Sequence, residues 1–372
     1  MDREHLGPDE SLAWVAQTLA QDAPFVVPTS GSTGLPKSVV LSSNAVRSSA
    51  DAVAARIGGH GQWLAALPIS HVGGLGVFVR SVIAGTTPVV LSTGPFTVPA
   101  FAAAVRRLGT GRPRFVSLVP TQVGRLIGEP AGLAALCSFD RVLIGGASLS
   151  HATAVTLSEA DIAWTHTYGL SETSGGCVYD GQPLEGVSLR VADAQPHSAE
   201  IDGAGRLMVA GPTLAEGYLD RPDLDAVAFE HRDGQRWCRT NDLGYWDPSL
   251  SRWIVVGRID DVIVTGGHKV HPSAVQDAVR SLSGIAEAAV TGVPDPEWGT
   301  AVAALVVLSA GDGPMALRAD PRAFIRGELR GRLPDHALPW RVKALNSLPR
   351  LPSGKVDYQG VRAAFTQEDD RI

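Results

Sequence analysis

Between residues 39 and 144 short apolar runs alternate with helix-period segments, and this alternation constrains the fold more tightly than any other feature of the chain. Strands are expected at 39–41, 63–67, 88–91, 115–118 and 142–144. Between them, helices are expected over 45–57, 75–84, 98–108 and 121–127. The first of these has Ala45, Val46, Ala50, Val53, Ala54 and Ile57 at helical spacing and Ser42 or Ser43 as its N-cap. Strand and helix in turn predict α/β layers around a largely parallel sheet. Ahead of them, residues 1–24 carry a candidate amphipathic helix with apolar Leu12, Trp14, Val15, Leu19 and Ala20, ended by Ala23-Pro24.

The pattern changes after residue 240. Thr240-Asn241-Asp242 precedes a hairpin expected over 243–256, and the hairpin runs into Gly257-Arg258-Ile259-Asp260-Asp261-Val262-Ile263. A short charged segment between apolar strands, followed by Thr265-Gly266-Gly267, reads as a domain boundary. Beyond it Pro272 starts a helix through Val275, Val279 and Leu282. Strands at 286–293 and 301–308, a helix over 321–333 and a strand at 341–345 follow. The expectation is a large α/β domain over 1–258 and a small α+β domain of about 110 residues over 259–372. The small domain ends in Leu351-Pro352-Ser353-Gly354-Lys355-Val356-Asp357, a turn that presents Lys355.

Composition excludes several classes of function. The chain has 372 residues, 44% of them hydrophobic and 19% charged, enough for a substantial core. A net charge of −6 gives no reason to invoke nucleic acid or an anionic membrane. Cys137, Cys177 and Cys238 lack C-x-x-C spacing, which argues against a disulfide framework and a zinc site and fits a reducing compartment. The N-terminus leads to no signal-peptide core, and the longest apolar run, 301–308, is too short to span a bilayer. A soluble, cytoplasmic protein is expected.

The stretch Pro28-Thr29-Ser30-Gly31-Ser32-Thr33-Gly34-Leu35-Pro36-Lys37 concentrates hydroxyls, two glycines and a lysine. Glycines let backbone N–H groups turn inward, hydroxyls add donors and lysine adds a point charge, so the loop suits a polyphosphate. It is not a Walker A loop, because Pro36 stands where the second glycine belongs. Lysine usage sharpens the reading. Only Lys37, Lys269, Lys343 and Lys355 occur, against 28 arginines, so a retained lysine points to a need for a compact, flexible charge.

The run from Val72 to Ala84 is apolar apart from Ser81 and Arg80. A helix this apolar all round is buried, and a buried guanidinium needs an anion. Arg80 therefore either pairs with an internal carboxylate or snorkels from the helix end, or it faces a ligand carboxylate in a pocket. Gly145-Gly146 after a strand lets a flat ring approach the backbone, Tyr168 offers a stacking face, Glu172 a magnesium ligand and Thr173 a phosphate contact. Gly169-x-Ser171 is half of a nucleophile elbow, but residue 173 is Thr, which argues against a serine hydrolase. His268-x-x-His271 lacks a third ligand and reads as a loop feature rather than a metal site.

In order, Thr29–Lys37, Leu67-Pro68-x-x-His71, Tyr168–Thr173, Thr240-x-Asp242, Gly257-Arg258-x-Asp260-Asp261 and Pro352-Ser353-Gly354-Lys355 resemble the adenylate-forming superfamily of acyl-CoA synthetases, luciferases and peptide-synthetase adenylation domains. The resemblance covers nearly the whole chain. It implies that Thr29, Ser30, Gly31, Ser32, Thr33, Gly34, Lys37 and Thr173 hold ATP phosphates and that Gly145, Gly146 and Tyr168 flank adenine. It further implies that Glu172 carries Mg²⁺ and that Asp242 and Arg258 hold the ribose. Asp260 would be a hinge. Lys355 would reach the α-phosphate and acyl oxygens in the first half-reaction. Rotation of the small domain would then bring Gly266 and Gly267 to a CoA thiol tunnel.

Within the superfamily, Leu67-Pro68-Ile69-Ser70-His71-Val72-Gly73-Gly74 through Arg80 and Ile83-Ala84-Gly85 is most similar to the o-succinylbenzoate–CoA ligases of menaquinone biosynthesis. That likeness implies an aromatic dicarboxylic acid, ATP and CoA as substrates, with Ser70, His71, Arg80 and Gly169 in the acid pocket and His71 beside Lys355 and Glu172 as catalytic residues. Arg80 would meet the carboxylate that is not activated. Two departures stand out. Only 28 residues precede the phosphate loop, as in the short form of these ligases, and the missing subdomain would expose surface that a homodimer covers. Asn241 replaces the glycine usual between Thr240 and Asp242.

Overall fold

The protein is described here by a computed structural model, which covers residues 7–29, 37–91, 94–192, 204–309, 313–350 and 356–366. Its central sheet has seven strands in the spatial order Val89–Val90, Gln62–Ala65, Arg114–Leu118, Arg141–Gly145, Trp164–Leu170, Gly175–Tyr179 and Gln182–Pro183. Pairing is parallel through the first five strands and antiparallel beyond Trp164–Leu170. Each parallel strand feeds both faces by simple alternation. Trp63, Ala65, Phe115 and Leu143 join the core beneath helices Pro8–Ala20, Ser43–Ile57 and Val72–Ile83. Leu64, Val116, Leu118, Val142 and Ile144 join the opposite core, closed by helices Val98–Val105, Pro120–Ile127, Pro130–Leu136 and His151–Glu159.

The alternation read from the sequence is thus the alternation of the fold, with one correction. The strand Lys37–Leu41 does not belong to the parallel sheet but pairs antiparallel with Phe25–Thr29, and Gly217–Tyr218 lies on its other side. A parallel crossover needs a dozen or more residues, and only seven separate these two strands. Of the two candidate caps, Ser42 accepts the Ala45 N–H at 3.2 Å and starts the next helix. Helices Pro130–Leu136 and His151–Glu159 were not expected from the sequence. Both are short and rich in alanine, so their apolar period is weak, and the sheet face they cover is what orders them.

A five-stranded antiparallel sheet follows, built on the long strand Gln235–Asp247, which pairs with Gly205–Ala210, Phe229–Arg232 and Arg252–Arg258. The expected hairpin is therefore longer than 243–256 at both ends, and its turn is set by Asp247, whose Oδ1 accepts the N–H groups of Ser249 and Leu250. Beyond Arg258, the strands Ile285–Asp295, Gly299–Leu308 and Arg341–Leu345 form a mixed sheet with a core on each face. Val290, Val302, Ala304 and Val306 pack toward helices Pro272–Arg280 and Pro321–Leu329. Ala289, Ala301, Ala303 and Leu305 pack toward Val361 and Phe365 of a last helix, Tyr358–Thr366, that the sequence reading left out. The helix expected to reach 333 stops at Leu329, where Arg330 turns extended ahead of Gly331.

Helix Val72–Ile83 is seated by a glycine. A Cβ on Gly74 would lie 2.0 Å from the carbonyl oxygen of Pro68, so only glycine lets the helix sit against the turn that follows the strand Gln62–Ala65. Gly124, in contrast, has no atom within 4 Å of a Cβ. Gly74→Ala is expected to lower the free energy of urea unfolding by about 2–3 kcal/mol, whereas Gly124→Ala raises it by about 0.5–1 kcal/mol. Equal, small effects from the two would contradict the close approach at Gly74.

Candidate active site

The carboxyl ends of the parallel strands open into one cavity of about 1010 Å³. This is where an open α/β sheet places a ligand, because neighbouring connections leave toward opposite faces and part from each other there. Leu67 and Pro68 come from the end of one strand, Ser117 and Leu118 from the next, Gly145 and Gly146 from the third, and Tyr168, Gly169 and Glu172 from the fourth. The five-stranded sheet closes the wall with Arg206, Asp242 and Arg258. Motifs separated by up to two hundred residues thus share one chamber.

Glu172 receives two donors on one oxygen. Lys37 Nζ lies 3.0 Å from Glu172 Oε1 and donates to the Tyr218 hydroxyl at 2.8 Å, and that hydroxyl donates to Glu172 Oε1 at 2.6 Å. Tyr218 was not singled out from the sequence. Its only signal is its place in a two-residue strand beside Lys37–Leu41, which is a matter of pairing rather than motif. Burial and the Glu172 carboxylate together push the Tyr218 hydroxyl well above its ordinary value, so it stays a donor. Thr29 Oγ1 donates to the Lys37 carbonyl at 3.1 Å, closing the base of the loop. Ser30, Gly31, Ser32, Thr33 and Gly34, and also Lys355, lie outside the described residues.

A second pair stands opposite. The Tyr168 hydroxyl donates to Asp242 Oδ2 at 2.7 Å. Burial raises the Asp242 carboxyl from its ordinary value, and the tyrosine hydrogen bond and the Arg258 charge oppose that rise. Burial, with the Asp242 charge adding to it, holds the Tyr168 hydroxyl well above the ordinary range. The backbone is braced as well, since the Asp242 N–H donates to Thr240 Oγ1 at 3.1 Å. His166, also unremarked in the sequence, lies on the same wall with a buried Nε2 that has no hydrogen-bond partner among the described residues, and burial lowers its pKa.

Arg80 is 8% exposed. Its guanidinium lies over the Trp63 ring at 4.2 Å, burial lowers its pKa, and its buried Nε has no hydrogen-bond partner among the described residues. Among the described residues no carboxylate pairs with it. A Cβ on Gly76, one helical turn earlier, would lie 3.0 Å from Arg80 Nη1, so that glycine leaves room for the guanidinium. The internal ion pair and the snorkelling that the sequence left open are both absent here. What remains is a cation on the wall of a cavity, of the kind that binds a carboxylate.

The remaining sequence candidates divide. His71 lies on the wall at the N-cap position of the helix Val72–Ile83, without a side-chain capping bond. Ser70 is half-buried and does not line the cavity. Thr173 is fully buried. Its Oγ1 accepts the Leu170 N–H at 2.9 Å and donates to the Gly175 carbonyl at 2.8 Å, so it shapes the turn that carries Glu172. Asp260 accepts from Asn241 and Arg258, and Gly266 and Gly267 lie away from the cavity wall. His268 stacks on His336 at 4.3 Å while His271 sits at the N-cap position of the helix Pro272–Arg280, and no group of three or more metal-ligating side chains occurs among the described residues. No helix of the described chain is long and apolar enough to cross a membrane.

Comparison with known proteins gives a consistent picture. Residues 4–219 match the family described as AMP-binding enzyme, and residues 274–355 match the AMP-binding enzyme C-terminal domain. The chain is 39% identical over 359 residues to a probable 2-succinylbenzoate–CoA ligase of Mycobacterium tuberculosis, covering 96% of this chain and 88% of that protein. Among solved structures, it is similar to o-succinylbenzoate CoA synthetase from Bacillus subtilis in complex with the acyl-adenylate intermediate. The TM-score is 0.73 at 26% identity, over 92% of this chain and 68% of the other. The same enzyme with ATP and magnesium ion gives a TM-score of 0.73 at 27% identity, over 92% and 69%.

If Arg80 held the helix by an internal ion pair, removing it would cost several kcal/mol. With no carboxylate beside it, Arg80→Met is expected to leave the unfolding free energy of the ligand-free protein unchanged or raise it by about 1–2 kcal/mol. A loss of more than about 3 kcal/mol in chemical denaturation would return Arg80 to a structural role.

Proposed function

Because the chain belongs to the AMP-binding enzyme family, we propose that it ligates o-succinylbenzoate to CoA with ATP, through an acyl-adenylate, as a step of menaquinone biosynthesis. The observation that carries the choice of acid is Arg80, a buried cation facing the cavity with no carboxylate partner among the described residues. o-Succinylbenzoate has two carboxylates, one to be activated and one to be held, and a guanidinium matches the second in charge and shape.

In the first half-reaction a carboxylate oxygen of the acid attacks the α-phosphorus of ATP, and the bond to the bridging oxygen breaks as pyrophosphate leaves. In the second, the CoA sulfur attacks the acyl carbon of the mixed anhydride and AMP leaves. No protein nucleophile is needed, so the protein must supply position and neutralise growing charge. Lys37, at the end of the phosphate loop, supplies a cation to the phosphates, and Asp242 holds the ribose hydroxyls while Tyr168 fixes its carboxylate and presents a face to adenine. His71, at the start of the Arg80 helix, closes the acid side. Thr173 supports Glu172 rather than phosphate.

Magnesium fits the donor set. A lone hard carboxylate beside a phosphate loop is what Mg²⁺ takes when nucleotide phosphates and water complete its shell, whereas a cage of side chains would point to another metal. Glu172 would hold the ion, which would neutralise phosphate charge. The boundary near Arg258 divides a large domain from a small one that carries Lys355, and Asp260 is the hinge between them.

Pyrophosphate release with ATP and Mg²⁺ is expected to depend on CoA and to be confined to o-succinylbenzoate when benzoate, coumarate and a medium-chain fatty acid are offered beside it. Arg80→Ala should raise KM for o-succinylbenzoate about a hundredfold and leave KM for ATP within about threefold. Turnover of a monocarboxylate instead would keep the fold and mechanism and overturn the acid. A pH experiment tests the ribose contact. The Tyr168 hydrogen bond holds the Asp242 carboxyl down against burial, so Tyr168→Phe moves that carboxyl further up. The ionised form then disappears at a higher pH on acidification, and the acid limb of the ATP kcat/KM profile should shift to higher pH. An unchanged limb would remove Asp242 from the ribose site.

A further inference from the structure

Asn241, which stands where the resembled family carries glycine, sits in a chain of hydrogen bonds that crosses the boundary near Arg258. Arg206 Nη1 donates to Asn241 Oδ1 at 2.9 Å and to the Thr240 carbonyl at 2.7 Å. Asn241 Nδ2 donates to Asp260 Oδ2 at 3.0 Å, and Arg258 Nη2 donates to the same oxygen at 3.1 Å. The backbone repeats the link, since the Ile259 N–H donates to the Asn241 carbonyl at 2.7 Å. The amide has one orientation consistent with its neighbours. A guanidinium only donates and a carboxylate only accepts, so oxygen must face Arg206 and nitrogen must face Asp260. With glycine at this position neither side-chain bond exists.

We infer that Asn241, oriented by Arg206, is a positioning residue that holds Asp260 and thereby favours the domain orientation of the first half-reaction over that of the second. The inference rests on the reading of Asp260 as the hinge. Asn241 belongs to the strand Gln235–Asp247 of the large domain, whereas Asp260 lies past Arg258. Rotation about residues 259–261 carries the Asp260 carboxylate away from Asn241, while Arg258 precedes the hinge and keeps its strand. The orientation held here is identified by what it brings to the cavity. Tyr358 and Arg362, on the helix that follows Lys355 in sequence, line the wall, and Gly266 and Gly267 do not. That is the arrangement the first half-reaction calls for.

One charge-assisted hydrogen bond at a half-exposed site shifts an equilibrium by about fivefold. The test compares wild type with Asn241→Ala, Arg206→Ala and Arg206→Lys in the full-length enzyme. ATP–pyrophosphate exchange reports the first half-reaction, and thioester formation from supplied acyl-adenylate and CoA reports the second. Asn241→Ala and Arg206→Ala should each lower the ratio of the first rate to the second about fivefold, and Arg206→Lys should restore it. Tryptic cleavage after Arg258 in the ligand-free protein, which needs no substrate, should accelerate in the two alanine variants and not in Arg206→Lys. If o-succinylbenzoate is not turned over, the rates are taken with the acid that is, so the choice of acid and the role of Asn241 stand or fall separately. Equal loss of both half-reactions, or unchanged ratio and cleavage rate, overturns the inference.

Discussion

The large domain is arranged around one carboxylate oxygen. Glu172 Oε1 receives Lys37 and Tyr218 together, with the lysine side chain 27% and the glutamate side chain 13% exposed. Lys37 comes from a strand of the small antiparallel sheet, Tyr218 from the strand beside it, and Glu172 from the turn that ends a central parallel strand. Two sheets therefore meet at this atom. Removing either charge would strand the other in a poorly hydrated site, which costs more than the pair gains. The backbone continues the joint, because the Ala215 N–H donates to the Glu172 carbonyl at 2.9 Å and the Glu216 N–H to the Val40 carbonyl at 2.8 Å. The two strands that flank residues 30–36 are thus braced before any ligand arrives.

Charge is distributed against the protein's average. The chain carries a net charge of −6, yet the cavity wall gathers Lys37, Arg80, Arg206, Arg221, Arg239, Arg258 and Arg362 against Glu172, Asp242 and Asp261. A concave, low-dielectric wall focuses such an excess. ATP, CoA and a dicarboxylic acid are all anions, so one field serves three substrates. Overall charge said nothing of this local inversion, because arginines spread along the sequence converge only in the fold.

What the sequence disclosed and what it hid follow one physical line. The strand and helix alternation was legible because both faces of a parallel sheet are buried and each helix must match one of them, so apolar residues recur at helical spacing in Ser43–Ile57 and short apolar runs mark the strands that follow. Glycine and charge motifs were legible because local backbone geometry demands them. Tyr218 was not, since a side chain that works through partners distant in sequence leaves no local pattern. Thr173 was given the wrong neighbour for the same reason: Glu172-Thr173 reads as two ligands in a row, whereas in the folded turn the second turns inward to bond the backbone that presents the first.

Arg80 shows how the two levels combine. An apolar helix with one arginine states that a guanidinium is buried but not what it meets, and the sequence left pairing, snorkelling and ligand binding open. The structure removes the first two by geometry: the side chain folds over Trp63, Gly76 gives it room, and no carboxylate lies beside it among the described residues. A buried cation without a counter-ion is unfavourable in the free enzyme, and that deficit is returned when an anion binds. On the proposed function the same site would discriminate, because a monocarboxylate that offers its only carboxyl to the α-phosphate would leave Arg80 unmatched, while a second carboxyl on the same molecule would satisfy it. On that reading the desolvated charge of Arg80, rather than a close fit around the ring, would select a dicarboxylic acid.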